Sequence, residues 1–276
     1  MKDFFAHIEL IWQKGSWLLW LCLIAVLPIT SFPLFAKVLH TSAVAPASGM
    51  FLILLAVFWL PIFILKDGRF PFQVKSALLF FFISLLSIAA AFFRYIPDFK
   101  NHSLVNPAVE GIATLGLGAL FYLTTSALPN TSSRVKSTLA VLNWSGLVML
   151  ALSLIQIVVS LVNNDFTDGM RAIQHIFSTT VLFDRRATGF ASEPSWLAHQ
   201  INLVYLAYWI SATLTKYSAH QFRIWKFSLE NLLLAGGVVV LFVTFSRGGL
   251  AAFMLVLAFL FLLLNIRFVN WLFIPS

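Results

Sequence analysis

Charged residues and cysteines are scarce in this sequence of 276 residues. Only 10% of the residues are Asp, Glu, Lys or Arg, whereas 60% are hydrophobic and the mean hydropathy is +0.92. A soluble globular domain is about half apolar, so this composition excludes that class. The single cysteine, Cys22, excludes an intrachain disulfide, a CxxC motif and a cysteine-based metal site. The composition therefore predicts a polytopic membrane protein.

The net charge of +8 does not indicate a nucleic-acid-binding protein. Lys and Arg are scattered between apolar stretches and form no basic face with interleaved aromatic residues. Membrane topology and attraction to anionic lipids explain the positive excess better. We expect membrane lipids, and no nucleic acid, among the partners.

Long apolar windows predict an all-α fold with eight transmembrane helices, because about 20 helical residues cross about 30 Å of hydrocarbon. Pro28 and Pro33 in the first window, and Pro61 in the second, predict kinks. If the N-terminus is cytoplasmic, eleven of the 18 Lys and Arg residues lie inside, which favours that orientation. The windows are 17–37, 48–65, 77–96, 107–128, 138–162, 196–215, 229–245 and 249–268.

These windows divide the chain into an N-terminal five-helix region (1–162), an outer segment (163–195) and a three-helix region (196–276). The outer segment is too apolar for a disordered linker. Helical spacing within it predicts a short amphipathic helix on the outer surface. Its apolar positions are Met170, Ile173, Ile176 and Phe177, and its other faces carry Arg171, Gln174 and His175.

The outer segment ends in a basic stretch beside a predicted helix start. Pro194 suits the first turn of the sixth span, which puts Glu193 near its N-cap. The exposed N–H groups of a helix start favour an anion, and Arg185 and Arg186 add two permanent cations. An anion site is therefore predicted at the outer membrane face.

A second basic turn, Thr244-Phe245-Ser246-Arg247-Gly248-Gly249, precedes the eighth span. The window before it has about 17 residues, so we expect Ser246 and Arg247 to lie below the outer surface. The glycines, Gly248 included, let the backbone turn tightly and approach a ligand. Two helix starts with arginines could thus converge on one anion.

These two motifs carry a family resemblance over roughly residues 180–265. The pattern Arg-x-x-Gly-Phe-x-x-Glu-Pro-Ser before one span, followed by Thr-Phe-Ser-Arg-Gly-Gly before another, resembles the O-antigen ligase and O-antigen polymerase superfamily of bacterial envelope enzymes. By this resemblance Arg186 and Arg247 correspond to arginines that hold the diphosphate or its sugar. Glu193 corresponds to the acidic position of the Glu-Pro motif.

The resemblance implies a GT-C-like helical bundle in the bacterial cytoplasmic membrane, acting at its outer face without a metal or other cofactor. The enzyme would transfer a glycan from a polyprenyl-diphosphate carrier to a sugar acceptor. We favour a polymerase over a ligase because nothing indicates recognition of a lipid A core or protein acceptor. Relatives usually continue with another outer loop, where ligases carry an essential histidine, so we expect a truncated member or a fragment.

Such a transfer needs cations that stabilise the leaving phosphate and a base near the acceptor hydroxyl. Arg186, Arg247 and Arg185 are the candidate cations, with Ser246 and Gly248 beside them. Glu193 and His199 are the candidate catalytic groups, and His175 is a weaker one.

Simpler interpretations stay open for each of these residues. The two loop arginines could pair with Asp184 and Glu193, Glu193 could only cap its helix, and His199 could be a packed polar residue. A transporter or flippase of lipid-linked oligosaccharide would also bind an anion, although we find no internal repeat of the kind transporters show. A structural subunit would need none of these arginines.

Overall fold

A computed structural model describes residues 2–38, 45–66, 68–94 and 104–265. The protein is mostly helical, at 74%. Within the described ranges, five helices are long and apolar enough to cross a membrane, so the prediction of a helical membrane protein is confirmed at that level. The five are Ala47–Leu65, Val74–Ala91, Pro107–Ala127, Ser132–Asn163 and Arg247–Leu264.

The described residues form two compact units, drawn from Met1–Ile24 with Ser48–Thr138 and from Ala25–Ala47 with Leu139–Ser276. Helix α7 begins in the first unit and continues into the second, although the sequence analysis placed all of it in the N-terminal region. The first unit holds most of α1 (Lys2–Ala25) and α3 (Ala47–Phe58), with α4 (Leu60–Leu65), α5 (Val74–Ala91), α6 (Val105–Ala127) and the start of α7 (Ser132–Asn163).

The second unit adds seven elements to the rest of α7. They are α2 (Pro33–Val38), α8 (Asp168–Phe177), α9 (Pro194–Gln200), a π-helical segment (Ile201–Leu206), α10 (Ala207–Thr215), α11 (Leu229–Val243) and α12 (Arg247–Leu264). A two-residue antiparallel hairpin, β1 (Arg223–Ile224) and β2 (Phe227–Ser228), lies between α10 and α11.

The first apolar window is not one kinked helix, so the expectation of a continuous span over 17–37 is wrong. Helix α1 ends at Ala25 and α2 begins at Pro33. Pro28 has no N–H for a helical bond, and Pro33 starts the second helix as its first residue. The intervening backbone bonds elsewhere, with Ala47 N donating to Ile29 O at 3.1 Å.

Around Pro61 the second window is interrupted, as its proline predicts. The break falls at Trp59, between α3 and α4. The carbonyl of Phe58 accepts a hydrogen bond at 3.0 Å from the indole Nε1 of Trp12. This bond joins α1 to the end of α3, where the helix is interrupted.

The short helix predicted in the outer segment is present as α8. The Thr167 side chain caps it, and Met170 is buried against Phe166 and Leu182. Gln174 was expected on a polar face, but it is 2% exposed because its amide bonds to other buried groups. Ile173 and Ile176 remain exposed as an apolar strip.

The core of the second unit is built around Trp209, which is fully buried. Its indole lies between two glycines, Gly146 of α7 and Gly237 of α11. A Cβ atom at Gly146 would lie 2.6 Å from the ring, and one at Gly237 would lie 2.8 Å from it. The two glycines therefore allow three helices to pack around one large side chain.

We expect Gly237→Val to destabilise the protein by about 1–3 kcal/mol, because the new side chain collides with the Trp209 ring. Thermal unfolding of the detergent-solubilised protein measures the change. Gly236→Val is the matched control, since a Cβ atom there meets only Leu150 at 3.4 Å. Equal losses in the two variants would contradict this account of the core.

Candidate functional site

The basic stretch lies in a loop, residues 183–192. The Gln156 side chain of α7 forms hydrogen bonds to this loop. Gln156 is completely buried. Its Oε1 accepts hydrogen bonds from Thr188 N at 3.1 Å and Gly189 N at 2.7 Å, and its Nε2 donates to Gly189 O at 3.1 Å. One amide therefore satisfies three backbone groups of the loop, which would otherwise be buried without partners. We call residues 183–192 the Arg186 loop.

Two further contacts fix the path of the Arg186 loop. Gly189 has a φ of 58°, and a Cβ atom there would lie 2.8 Å from Ser153 Oγ, so glycine is required. The Gln156 Nε2 also donates to Gln174 Oε1 at 3.2 Å. Gln174 Nε2 in turn donates to Ala191 O at 3.4 Å. Helices α7 and α8 together thus position the loop.

The Arg186 loop is joined directly to the second basic turn, residues 244–249, which we call the Arg247 turn. Ala187 N donates to Val243 O at 2.9 Å, at the end of α11. Arg186 Nε donates to Thr244 O at 2.9 Å. The two arginine-bearing segments therefore form one site, and the half-buried Arg186 guanidinium is tied to the backbone of the other segment.

In the Arg247 turn, the chain reverses between two helices. Phe245 has a φ of 48°, and the buried Ser246 is the N-cap of α12, its Oγ accepting from Gly249 N at 3.2 Å. Arg247 is the first residue of α12 and is exposed, as is Gly248. The turn thus presents a cation and a helix start together.

The first turn of α12 packs against α9 at Ala198, about one turn into that helix. A Cβ atom at Gly249 would lie 2.4 Å from Ala198 Cβ, so only glycine permits this approach. Asn202 Nδ2 donates to Gly249 O at 2.8 Å. Helix α9 and the π-helical segment after it therefore contact the beginning of α12 directly.

Glu193 is the N-cap residue of α9, as its place before Pro194 predicts. Its side chain, however, accepts no hydrogen bond from the N–H groups of the helix. Its Oε2 instead accepts from Ser195 Oγ at 3.1 Å, and the side chain is exposed. His199 is also exposed, and so is His175 on α8. Simple helix capping therefore does not explain Glu193.

No carboxylate within the described residues lies in ion-pair range of Arg185, Arg186 or Arg247. In the outer segment, Arg171 instead forms an ion pair with Asp165 at 2.7 Å. Arg185 is exposed and has a φ of 53°. The alternative in which the loop arginines pair with Asp184 or Glu193 is thus not what the structure shows.

A second polar cluster, which the sequence analysis missed, surrounds Glu230 in the first turn of α11. The carboxylate is fully buried. Its Oε1 accepts from Asn143 Nδ2 and Ala219 N, each at 2.9 Å, and from the Tyr208 hydroxyl at 3.2 Å. Ser218 Oγ donates to Oε2 at 2.7 Å. Four donors and no cation therefore hold this charge, which ties the α10–α11 connection to α7.

Comparison with known proteins adds no family assignment. No protein-family model, no curated protein and no solved structure matches the chain. Within the described residues, no group of three His, Cys, Asp or Glu side chains is placed to hold a metal ion. The groups available for chemistry are the three arginines, the N–H groups of two helix starts, and the exposed Glu193 and His199.

We expect Gln156→Leu to lower the free energy of unfolding by about 2 kcal/mol or more, because three buried backbone groups lose their partner. Denaturant unfolding and protease cleavage within residues 183–192 both measure the effect. Ser160→Ala is the control on the same helix, since the Ser160 hydroxyl is buried without a hydrogen-bond partner. Its removal should leave stability nearly unchanged, and an equal loss in both variants would exclude the proposed role of Gln156.

Glu230→Leu should destabilise the protein by about 3 kcal/mol or more, because two buried N–H donors and two half-buried hydroxyl groups lose their acceptor. Glu230→Gln keeps one acceptor oxygen and should cost less. Glu9→Gln, which breaks an exposed ion pair with Lys66 at 2.7 Å, should change stability by less than about 0.5 kcal/mol. Thermal unfolding in detergent ranks the three, and a reversed order would refute the account.

Proposed function

We propose that this chain is a membrane glycosyltransferase of envelope polysaccharide assembly. It transfers a glycan from a polyprenyl-diphosphate carrier to a sugar acceptor at the outer face of the bacterial cytoplasmic membrane. The proposal includes eight transmembrane helices in a GT-C-like bundle with a cytoplasmic N-terminus. The site then lies at the outer ends of helices α7, α9, α11 and α12.

One observation carries the proposal, namely the bond from Arg186 Nε to Thr244 O at 2.9 Å. It joins the two segments whose motifs resemble the ligase and polymerase superfamily, although 57 residues lie between Arg186 and Thr244. The bond uses Nε, so both Nη groups of Arg186 remain to donate to phosphate oxygens. This contact between the two motifs supports a shared cationic site.

The charges at this site suit a diphosphate leaving group. No carboxylate within the described residues neutralises Arg186 or Arg247. Arg247 is the first residue of α12, and Arg186 is bonded to the turn that precedes it. Helix starts and arginines both stabilise negative charge. Cations positioned in advance lower the energy of a transition state in which charge grows on the departing phosphate.

The chemistry assigns distinct roles to the remaining groups. The acceptor hydroxyl oxygen attacks the anomeric carbon, the bond from that carbon to the phosphate oxygen breaks, and the hydroxyl proton passes to a base. Glu193, at the N-cap of α9, and His199, in its last turn, are both exposed and are the bases we propose. Ser195 Oγ, which donates to Glu193 Oε2, orients that carboxylate.

We expect Arg186→Ala and Arg247→Ala each to lower turnover by roughly 10² or more, because each removes stabilisation of the leaving phosphate. The assay uses the purified full chain in liposomes with polyprenyl-diphosphate oligosaccharide, and sizes the lipid-linked products on gels. Arg171→Ala is the control, since Arg171 is already paired with Asp165 at the surface. It should keep the activity of the unmodified protein.

The outcomes of this assay separate the candidate functions. Longer lipid-linked glycan that disappears in both arginine variants supports a polymerase that uses these residues. Movement of lipid-linked sugar across the bilayer without a new product supports the transporter instead. Normal turnover in both folded arginine variants would refute the assigned roles of Arg186 and Arg247.

A further inference from the structure

The first unit contains a pocket that the proposed transfer reaction does not use. Its volume is about 330 Å³. One part of its wall is aromatic, formed by Trp12, Trp59 and Phe63, and another part is polar, with Gln13, Thr131 and Arg134. A pocket with both kinds of wall fits a ligand that has a polar head and an apolar body.

The pocket lies where the apolar helices of this unit end. Trp59 and Phe63 belong to the last turns of the predicted span 48–65, and Thr131 follows the predicted span 107–128. Arg134 lies in the first turn of α7, and the Trp12 indole bonds to Phe58 O at the end of α3. Tryptophan and arginine at span ends are typical of the membrane–water interface, so the pocket opens at the depth of lipid headgroups.

Arg134 supplies a fixed positive charge to this pocket. Its Nη1 donates to Leu128 O at 3.2 Å and to Asn130 Oδ1 at 3.3 Å, and its guanidinium carbon lies 5.2 Å from the centre of the Trp17 ring. These contacts hold the group in place before any ligand arrives. They leave Nε and Nη2 available as donors.

The ion pairing of Arg134 differs from that of Lys66 in the same unit. In the described part of the chain, no carboxylate lies within ion-pair distance of it. By contrast, Lys66 in the same unit is paired with Glu9 at 2.7 Å. A fixed arginine without an acidic partner, in a pocket at headgroup depth, indicates an anionic ligand.

We propose that this pocket binds the headgroup of an anionic phospholipid. The phosphate accepts hydrogen bonds from Arg134, the glycerol and upper acyl carbons lie against the indoles of Trp12 and Trp59, and polar headgroup atoms contact Gln13 and Thr131. This site is separate from the arginine site of the second unit and does not depend on the proposed transfer activity.

Binding of short-chain lipids by the purified full chain tests the proposal. Titration calorimetry compares dihexanoyl phosphatidylglycerol, dihexanoyl phosphatidylcholine and inorganic phosphate. We expect saturable binding of phosphatidylglycerol, and binding of phosphatidylcholine that is at least roughly tenfold weaker. Only phosphatidylglycerol has a net negative charge that balances the positive charge of Arg134. Inorganic phosphate should bind weakly, because it lacks the apolar contacts.

Variants assign the binding to the pocket. Arg134→Gln should weaken phosphatidylglycerol binding by roughly tenfold or more. Lys136→Gln removes the same charge from an exposed position two residues along α7 and should leave binding unchanged. Gln13 is exposed on the pocket wall, so Gln13→Trp should fill the pocket and block binding while Arg134 stays in place. This second variant tests the site even if Arg134→Gln does not fold.

Three results would overturn the proposal. Equal binding of the two phospholipids would show that the headgroup charge is not recognised. Phosphate binding as tight as phosphatidylglycerol would identify a site for a free phosphate compound instead of a lipid. Equal losses in Arg134→Gln and Lys136→Gln would show only general attraction between a basic surface and an anionic lipid.

Discussion

The amide of Gln156 is the interaction on which the arrangement of the second unit depends. An irregular backbone beside apolar helices needs hydrogen-bond partners from the protein itself. Gln156 donates to or accepts from three backbone groups of the Arg186 loop, and Gln174 extends the same support to Ala191. The loop can therefore lie on the helix ends with its arginine side chain directed to the Arg247 turn.

Helix α7 carries a second polar residue with an equivalent role. Asn143 lies 13 positions before Gln156, or about 20 Å along the axis at about 1.5 Å for each residue. Its Nδ2 donates to Glu230, and its Oδ1 accepts from the Trp209 indole at 2.9 Å. One long apolar helix thus positions polar groups at two levels about 20 Å apart, and Gly146, against which Trp209 packs, lies between them.

Periodicity and turn chemistry predicted much of this architecture. The apolar windows locate helices, and Pro194 marks the start of α9 with Glu193 at its N-cap, as predicted. These signals are local, because each depends on residues a few positions apart. The adjacency of the two arginine segments was expected only as a hypothesis, and the contact between Arg186 and Thr244 now supports it.

The sequence analysis missed Gln156 and Glu230 because their roles depend on distant partners. A single Gln in an apolar window is compatible with many environments, and its bonds to residues 188 and 189 arise only when the loop folds back. The break at Pro28 was likewise expected as a kink. Whether a proline bends or ends a helix depends on which other groups accept the freed backbone.

The π-helical segment Ile201–Leu206 has a consequence for how the sixth helix meets its neighbours. A π turn holds about one residue more than an α turn, so the segment rotates everything beyond it by about 100° relative to a continuous α-helix. Before the segment, Ala198 meets Gly249 of α12, and after it Trp209 meets α7 and α11. The faces that α9 and α10 present to their neighbours are therefore offset by this rotation. Deletion of one residue from Ile201–Leu206 would shift Ala198 relative to Gly249 of α12, although every residue of the candidate site would be unchanged.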